Sequence, residues 1–315
     1  MIDICILGTG GGMPMPNRFL SASLISYLGR KILIDAGEGT QVSMKIVGTG
    51  FKSIDIICIT HYHGDHIVGL PGLLATIGNS GRVEPITIIG PKGIKEVVSS
   101  LNIINPYLPY KINFVENPKE SIYFKIEKNN SILVQEKTQS NVEIRVLPLE
   151  HSSECLGYNF YYKRLPKFSV EKAKENNVPK HLWKLLQQGE SIEFEEVLYK
   201  PFMVNGERRR AVKISYISDT RPIDKIVDFI KESDLFICEG NYGSNEDLDK
   251  AIKNKHMIFS EGATLAREAK VKELMLTHFS PAISNPEDYL DNAKNIFKDT
   301  VLAKDGMIKS LKYND

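Results

Sequence analysis

The sequence predicts an α/β protein built as an αββα sandwich, two β-sheets packed face to face with helices on both outer surfaces. Three observations lead there. Short strands come first and mixed strands and helices follow, in both halves of the chain. Glycine-rich or polar turns separate the early strands. Histidines and aspartates with metal-ligand character stand directly after strands, so a sandwich would gather them along one edge.

Within the first 90 residues, segments 2–7, 22–27, 31–35 and 54–60 are rich in Ile, Leu and other strand formers and read as strands. Segment 86–89, ended by Gly90-Pro91, reads as a fifth. Residues 94–100 suit a helix, and several strands follow between Ile112 and Leu149, the last at 142–149. Residues 163–190 change character. They hold the single tryptophan, Trp183, at helical spacing, and carry seven Lys or Arg against three Glu. That local balance of +4 leaves −3 on the other 287 residues. The segment reads as an inserted basic arm and not as a second domain, so 1–315 is expected to form one domain. Strand signals return at 212–217, 235–238 and 274–277, with helices expected at 247–253, 264–269 and 286–297.

Composition narrows the class. A hydrophobic content of 42% and a charged content of 25% suit a soluble globular protein. Lys+Arg 40 against Asp+Glu 39 gives a net charge of +1, which argues against a generic basic DNA-coating protein but leaves room for a local patch. Cys5, Cys58, Cys155 and Cys238 form no CxxC pair and read as free thiols of a reducing compartment. The first residues lack a signal-peptide pattern, and no apolar run nears the ~18 residues of a membrane span. A cytoplasmic protein without membrane association is expected.

Three of the seven histidines fall in His61-Tyr62-His63-Gly64-Asp65-His66, directly after the strand at 54–60. Residues two apart on an extended end share a side, and Gly64 permits a turn that returns Asp65 and His66 toward the same point. Imidazoles with a carboxylate suit zinc or a similar divalent metal. A polar surface loop is the plainer reading, and three His and one Asp within six residues disfavour it. His151, Asp219 and His278 also follow strands. Each alone is weak. Together they make five His and two Asp, enough for two metals that share a carboxylate, an arrangement suited to phosphodiester hydrolysis. The run Gly8-Thr9-Gly10-Gly11-Gly12 faintly suggests a dinucleotide loop, but Pro14 and Pro16 block the helix that such a loop must open. A tight loop beside the metal site is expected instead.

His61–His66 is similar to the HxHxDH signature of the metallo-β-lactamase superfamily. Asp35-Ala36-Gly37-Glu38-Gly39-Thr40-Gln41 resembles the DCGEGTQ segment of the ribonuclease Z family, and residues 63–74 (HGDHIVGLPGLL) resemble that family's helix after the metal loop. Residues 149–158, 218–222 and 276–280 resemble its later motifs in order and spacing. The resemblance implies a metallo-β-lactamase-type sandwich with an inserted helical arm. It implies a zinc-dependent endoribonuclease that hydrolyses the phosphodiester 3′ of the acceptor stem in tRNA precursors and leaves a 3′-hydroxyl.

By the same resemblance, His61, His63 and His151 would hold one Zn2+, Asp65, His66 and His278 a second, and Asp219 would bridge them, with Mn2+ as an alternative metal. Asp65 would also orient or deprotonate the attacking water, His256 would assist the leaving 3′ oxygen, and Glu239 would be its orienting partner. Ser280 and the arm cations Lys163, Arg164, Lys167, Lys172, Lys174, Lys180 and Lys184 would contact substrate, with the arm gripping tRNA from the neighbouring subunit of a homodimer; DNA is not an expected partner. The chain departs from the family where Ser280-Pro281 is followed by Ala282-Ile283 in place of Arg-Tyr. That departure motivates an alternative expectation, a binuclear metal phosphodiesterase acting on a small or non-tRNA substrate.

Overall fold

The computed structural model describes residues 1–313. The first sheet is built from β1 (Ile2–Gly8), β2 (Ala22–Tyr27), β3 (Arg30–Ile34), β4 (Ile54–Cys58), β5 (Ile86–Gly90) and β6 (Ile112–Glu116). After it come β7 (Ile122–Glu127), β8 (Asn130–Val134), β9 (Val142–Leu149) and β10 (Cys155–Tyr162). A short hairpin, β11 (Ile192–Phe194) and β12 (Val197–Tyr199), precedes β13 (Val212–Ile217), β14 (Leu235–Glu239), β15 (Leu274–Thr277), β16 (Thr300–Leu302) and β17 (Ile308–Leu311). The seven-stranded sheet runs β17-β1-β2-β3-β4-β5-β6 and the eight-stranded sheet β16-β15-β14-β13-β10-β9-β7-β8. Strands β3 to β6 are mutually parallel, as are β13 to β16, so the carboxyl ends of β4, β13, β14 and β15 can carry loops to a common site.

Alternation along the strands makes a layered core. Ile4, Ile6, Ile25, Ile32 and Ile34 of one sheet face Ile144, Tyr158, Phe160, Ile214 and Ile237 of the other, all fully or nearly fully buried. Their neighbours Cys5, Leu7, Leu24, Leu33 and Ile57 point the opposite way, under α1 (Thr40–Val47), α3 (Leu70–Asn79) and α4 (Ile94–Leu101). The short α2 (Gly64–Ile67) lies between the first two of these helices in sequence. On the far side, Phe236, Cys238, Leu274 and Leu276 pack under α7 (Lys225–Ile230), α9 (Phe259–Glu268) and α10 (Leu290–Lys294). Helix α8 (Leu248–Asn254) precedes α9. The expected αββα sandwich is the observed architecture, and each buried aliphatic side chain adds about 1.5–3 kcal/mol to it. All four cysteines are buried and free.

Several boundaries differ from the sequence reading, for local reasons. The strand expected at 31–35 ends at Ile34, because Asp35 turns left-handed, with φ 57°, to reach Thr60 and His66. Residues 63–74 form two helices, not one; they part at Gly69, whose N–H donates to Ala36 and where any Cβ would strike the Gly37 carbonyl. The helix expected at 264–269 begins at Phe259, because the Glu261 carboxylate accepts the Ile258 N–H and caps it. Of 286–297, only Leu290–Lys294 is α-helical, after a 3₁₀ turn at Pro286–Tyr289.

Between β10 and β13, residues 163–211 fold back on themselves through α5 (Val170–Glu175), α6 (Trp183–Gln187) and the β11–β12 hairpin. This unit has a small core of its own, Ala173, Val178, Leu182, Leu186 and Val204, flanked by Phe168 and Trp183. The 163–190 segment is its first part, and the hairpin and return run lie beyond it. The larger unit keeps the local charge of +4.

Candidate metal centre

The loops after β4, β9, β13 and β15 converge. His61 and His63 follow β4, Asp65 and His66 lie on α2, His151 follows β9, Asp219 follows β13, and His278 follows β15 in a left-handed conformation, φ 58°. One group joins His61, His63, His151 and Asp219, a second joins Asp65, His66 and His278, and a third, Asp219, His256 and His278, shares members with both, each with ligand atoms within 4.8 Å of one another. In the first, His63 Nδ1 lies 3.0 Å from His61 Nε2 and 3.2 Å from His151 Nε2. In the second, His278 Nε2 lies 3.1 Å from His66 Nε2 and 3.3 Å from Asp65 Oδ2. Asp219 stands between them. Its Oδ2 is 3.7 Å from both His61 Nε2 and His151 Nε2, and its Oδ1 is 3.6 Å from His66 Nε2 and 3.2 Å from His278 Nε2.

These separations fit a metal. Donors held ~2.0–2.1 Å from a tetrahedral ion sit about 3.3 Å apart. The set is imidazole and carboxylate with no thiolate, which suits zinc and harder divalent ions that also bind phosphate oxygen.

Surrounding groups fix which nitrogen faces inward. Asp35 accepts from His66 Nδ1 at 2.8 Å, from the Thr60 hydroxyl at 2.8 Å and from the Thr60 N–H at 2.7 Å. With its only proton given to Asp35, the Thr60 hydroxyl accepts from His61 Nδ1 at 3.0 Å. His151 Nδ1 donates to the Lys255 carbonyl at 2.9 Å. Three imidazoles therefore present Nε2 to the cluster, the usual effect of such outer bonds. Asp65 Oδ2 accepts the Gly12 N–H at 2.6 Å, so the glycine run lies beside the cluster.

Electrostatics divide the histidines. Burial, with the nearby His66, pushes His61 down to about 2, and burial lowers His151, so both are neutral and ready to ligate. Burial also disfavours the charged form of His66, but the Asp219 and Asp35 carboxylates outweigh it and hold its pKa well above the ordinary value. Burial opposes ionisation of Asp65 and Asp219. For Asp65, hydrogen bonds from His278 and His66 prevail; for Asp219, the charges of His278, His66 and His61 do. Both carboxyls stay below the usual range.

His256 stands at the margin, with its Nδ1 3.1–3.2 Å from both Glu239 oxygens. Burial alone would lower it; Glu239, then Asp219 and Asp65, raise it to about 9. Ser280, two residues past His278, uses its hydroxyl to accept the Ala282 N–H. Ile283 is buried, and Arg18 holds the carbonyls of Ser280 and Ile283. The arm cations lie apart from the cluster in two settings. At the arm's root, Lys163 donates to Lys137 and Ser140, and Arg164 stacks on Tyr313. Farther out, Lys172, Lys174, Lys180 and Lys184 are exposed, as is Lys167, which pairs with Glu207.

Sequence reasoning missed the supporting residues Thr60, Arg221 and the Lys255 carbonyl. Asp35 and Arg221 do lie in the DAGEGTQ and SDTRP segments, but only contacts assign them a job.

A two-sheet sandwich with this His/Asp cluster at its strand ends defines a metallo-β-lactamase-fold, metal-dependent hydrolase. Solved structures agree on the fold. The short form of human tRNase Z (ELAC1) superposes with a TM-score of 0.67 at 24% identity, covering 98% of this chain and 99% of that one. The metallo-β-lactamase fold protein YhfI of Bacillus subtilis gives 0.67 at 19% identity, over 98% of each chain. Residues 2–152 match the family model described as anti-Pycsar protein Apyc1. Ribonuclease Z of Clostridium botulinum (strain Alaska E43 / Type E3) is 59% identical over 315 residues, and that of Clostridium beijerinckii 60% over 316, both covering the whole of each chain. The chain belongs to the ribonuclease Z family of endoribonucleases.

Proposed function

We propose that the protein cleaves tRNA precursors just 3′ of the acceptor stem, using two Zn2+ ions per chain, with Mn2+ able to replace them. The observation that carries this is the placement of the two Asp219 oxygens, one toward each group of ligands. His61, His63 and His151 hold one ion, Asp65, His66 and His278 the other. Bound there, the ions supply an activated water at neutral pH and offset phosphate charge. Asp65 orients that water for attack on phosphorus. The P–O3′ bond breaks, His256 gives its proton to the departing 3′ oxygen, and Glu239 steadies the imidazolium through Nδ1. The tRNA keeps a 3′-hydroxyl and the trailer keeps the phosphate.

Ser280 and the exposed arm lysines contact RNA phosphates in this reading, with residues 163–211 acting as an arm of a single catalytic domain. The protein works in the cytoplasm as a homodimer. The test is cleavage of a 3′-extended tRNA by metal-depleted protein with zinc or manganese restored. A single cut at the acceptor stem with a 3′-hydroxyl is expected, and no cut with either metal refutes the reading. Ala282-Ile283 in the family's Arg-Tyr position, with Ile283 apolar and buried, favours one second reading, a phosphodiesterase for small substrates. A kcat/KM on bis(p-nitrophenyl) phosphate above that on tRNA precursor would select it.

A further inference from the structure

Arg221 lies two residues past Asp219. Its guanidinium forms a fork with Glu261, Nη1 to Oε2 at 2.9 Å and Nη2 to Oε1. The same Nη1 donates to the His256 carbonyl at 2.5 Å. Glu261 in turn accepts the Ile258 N–H at 3.1 Å, so one ion pair ties both ends of the 256–258 connector. The Arg221 N–H donates to the carbonyl of Glu150, the residue before His151, at 3.0 Å. The preceding N–H, on Thr220, donates to Glu239 Oε1 at 2.7 Å. Two consecutive residues thus hold both members of the His256–Glu239 pair, one by its backbone and one by its side chain.

His256 sits between α8 and α9, with its own N–H tied to the Ala251 carbonyl of α8 at 2.9 Å, and the ties through Arg221 and Thr220 complete its hold. A proton donor must come within ~2.6–3.2 Å of its target, and a 1 Å misplacement can cost ~10²-fold. A planar bidentate Arg–carboxylate fork supplies the needed directionality, which a lysine cannot copy.

We infer that Arg221, locked to Glu261, is a positioning residue that aims His256 at the leaving oxygen. The inference rests on the reading of His256 as proton donor. A ribose 3′ oxygen leaves poorly unless protonated, whereas p-nitrophenolate leaves without help. Loss of aim should therefore slow RNA cleavage and spare bis(p-nitrophenyl) phosphate, while a general loosening of the site would slow both.

The experiment compares wild type, Arg221→Ala, Arg221→Lys, Glu261→Gln and His256→Ala, with the double variant Arg221→Ala/His256→Ala, on both substrates. Bound metal per chain and thermal unfolding are measured in parallel. Glu261→Gln keeps an acceptor for Ile258 and serves if Arg221→Ala does not fold. Expected are unchanged metal content, a ~10–10²-fold fall on RNA for Arg221→Ala and Glu261→Gln, an intermediate loss for Arg221→Lys, and about a threefold change or less on the nitrophenyl ester. In the His256→Ala background, Arg221→Ala should cost almost nothing more, because it acts through a side chain already gone. Equal losses on both substrates, loss of metal, or a full additional loss in the double variant overturns the inference. If His256→Ala itself slows both substrates equally, the proton-donor reading falls and takes the inference with it. If His256→Ala splits the substrates and Arg221→Ala does not, the inference alone falls.

Discussion

Gly11→Ala is a one-methyl test of the cluster. A Cβ built on Gly11 lies 2.7 Å from both His278 ring nitrogens and closer still to Cε1, whereas ordinary contact begins at 3.4 Å. The ring must retreat by about 1 Å at Cε1, or the loop must move with it. Gly11 is held, since its N–H donates to the Phe279 carbonyl at 3.0 Å and the next N–H donates to Asp65. Metal–ligand distances tolerate only about ±0.2 Å, so His278 cannot yield that much and still ligate. Overpacking of this kind costs about 1–3 kcal/mol, which a domain of this size survives. The expected outcome is a folded protein with weakened binding of the ion held by Asp65, His66 and His278, and a fall in kcat of ~10²-fold. Gly12→Ala is the control. Its φ of 76° strains an alanine, but its Cβ meets only Pro281 at 3.9 Å, so it should lose stability and keep its metals. Elemental analysis and tRNA cleavage read both variants. Two ions per chain and a kcat within threefold of wild type for Gly11→Ala would refute the assignment of His278.

Asp65→Ala removes a ligand and the water's orienter together, and turnover should fall by more than ~10²-fold; a rate within tenfold of wild type contradicts the role. Zinc binding to the metal-free protein should release at least one proton per chain at pH 7. His66 is held protonated by Asp219 and Asp35 and must free Nε2 to ligate, so affinity rises with pH. Titration calorimetry in two buffers of different ionisation enthalpy measures this, and zero release refutes it. The same raised pKa stabilises the metal-free fold below about pH 6.5, a contribution that fades as pH climbs through the folded-state value. The arm can be excised cleanly, because Tyr162 pairs directly with Val212 and an Asn-Gly turn can close β10 onto β13. Without residues 163–211, tRNA processing should drop and its salt dependence flatten, by roughly 0.9 in slope for each RNA phosphate that the arm neutralises. Hydrolysis of bis(p-nitrophenyl) phosphate should persist; equal losses on both substrates would mean that the unit supports the fold.

By itself the sequence determined the layering and the identity of the ligand candidates. Short runs rich in Ile and Leu, such as 54–58 and 86–90, make strands buried on both faces, and seven His and Asp standing after strands must share an edge if those strands share a sheet direction. The HxHxDH spacing needs no long-range contact, since one strand end and one turn of helix bring those four side chains together. What the sequence could not give is everything set by contacts between distant segments. The two-sided use of Asp219 exists only because β13 lies parallel to β14 and β15 and across from β4. The inward face of three imidazoles, those of His66, His61 and His151, is chosen by Asp35, Thr60 and the carbonyl of Lys255, the last of them 104 residues away from His151. Gly11 matters because His278 returns against it from the far end of the chain, and Arg221 matters because Glu261 and His256 reach it from α9 and its approach. Hydrogen bonds and steric exclusion act over a few ångströms in space, and only the packed fold fixes which residues meet at that range.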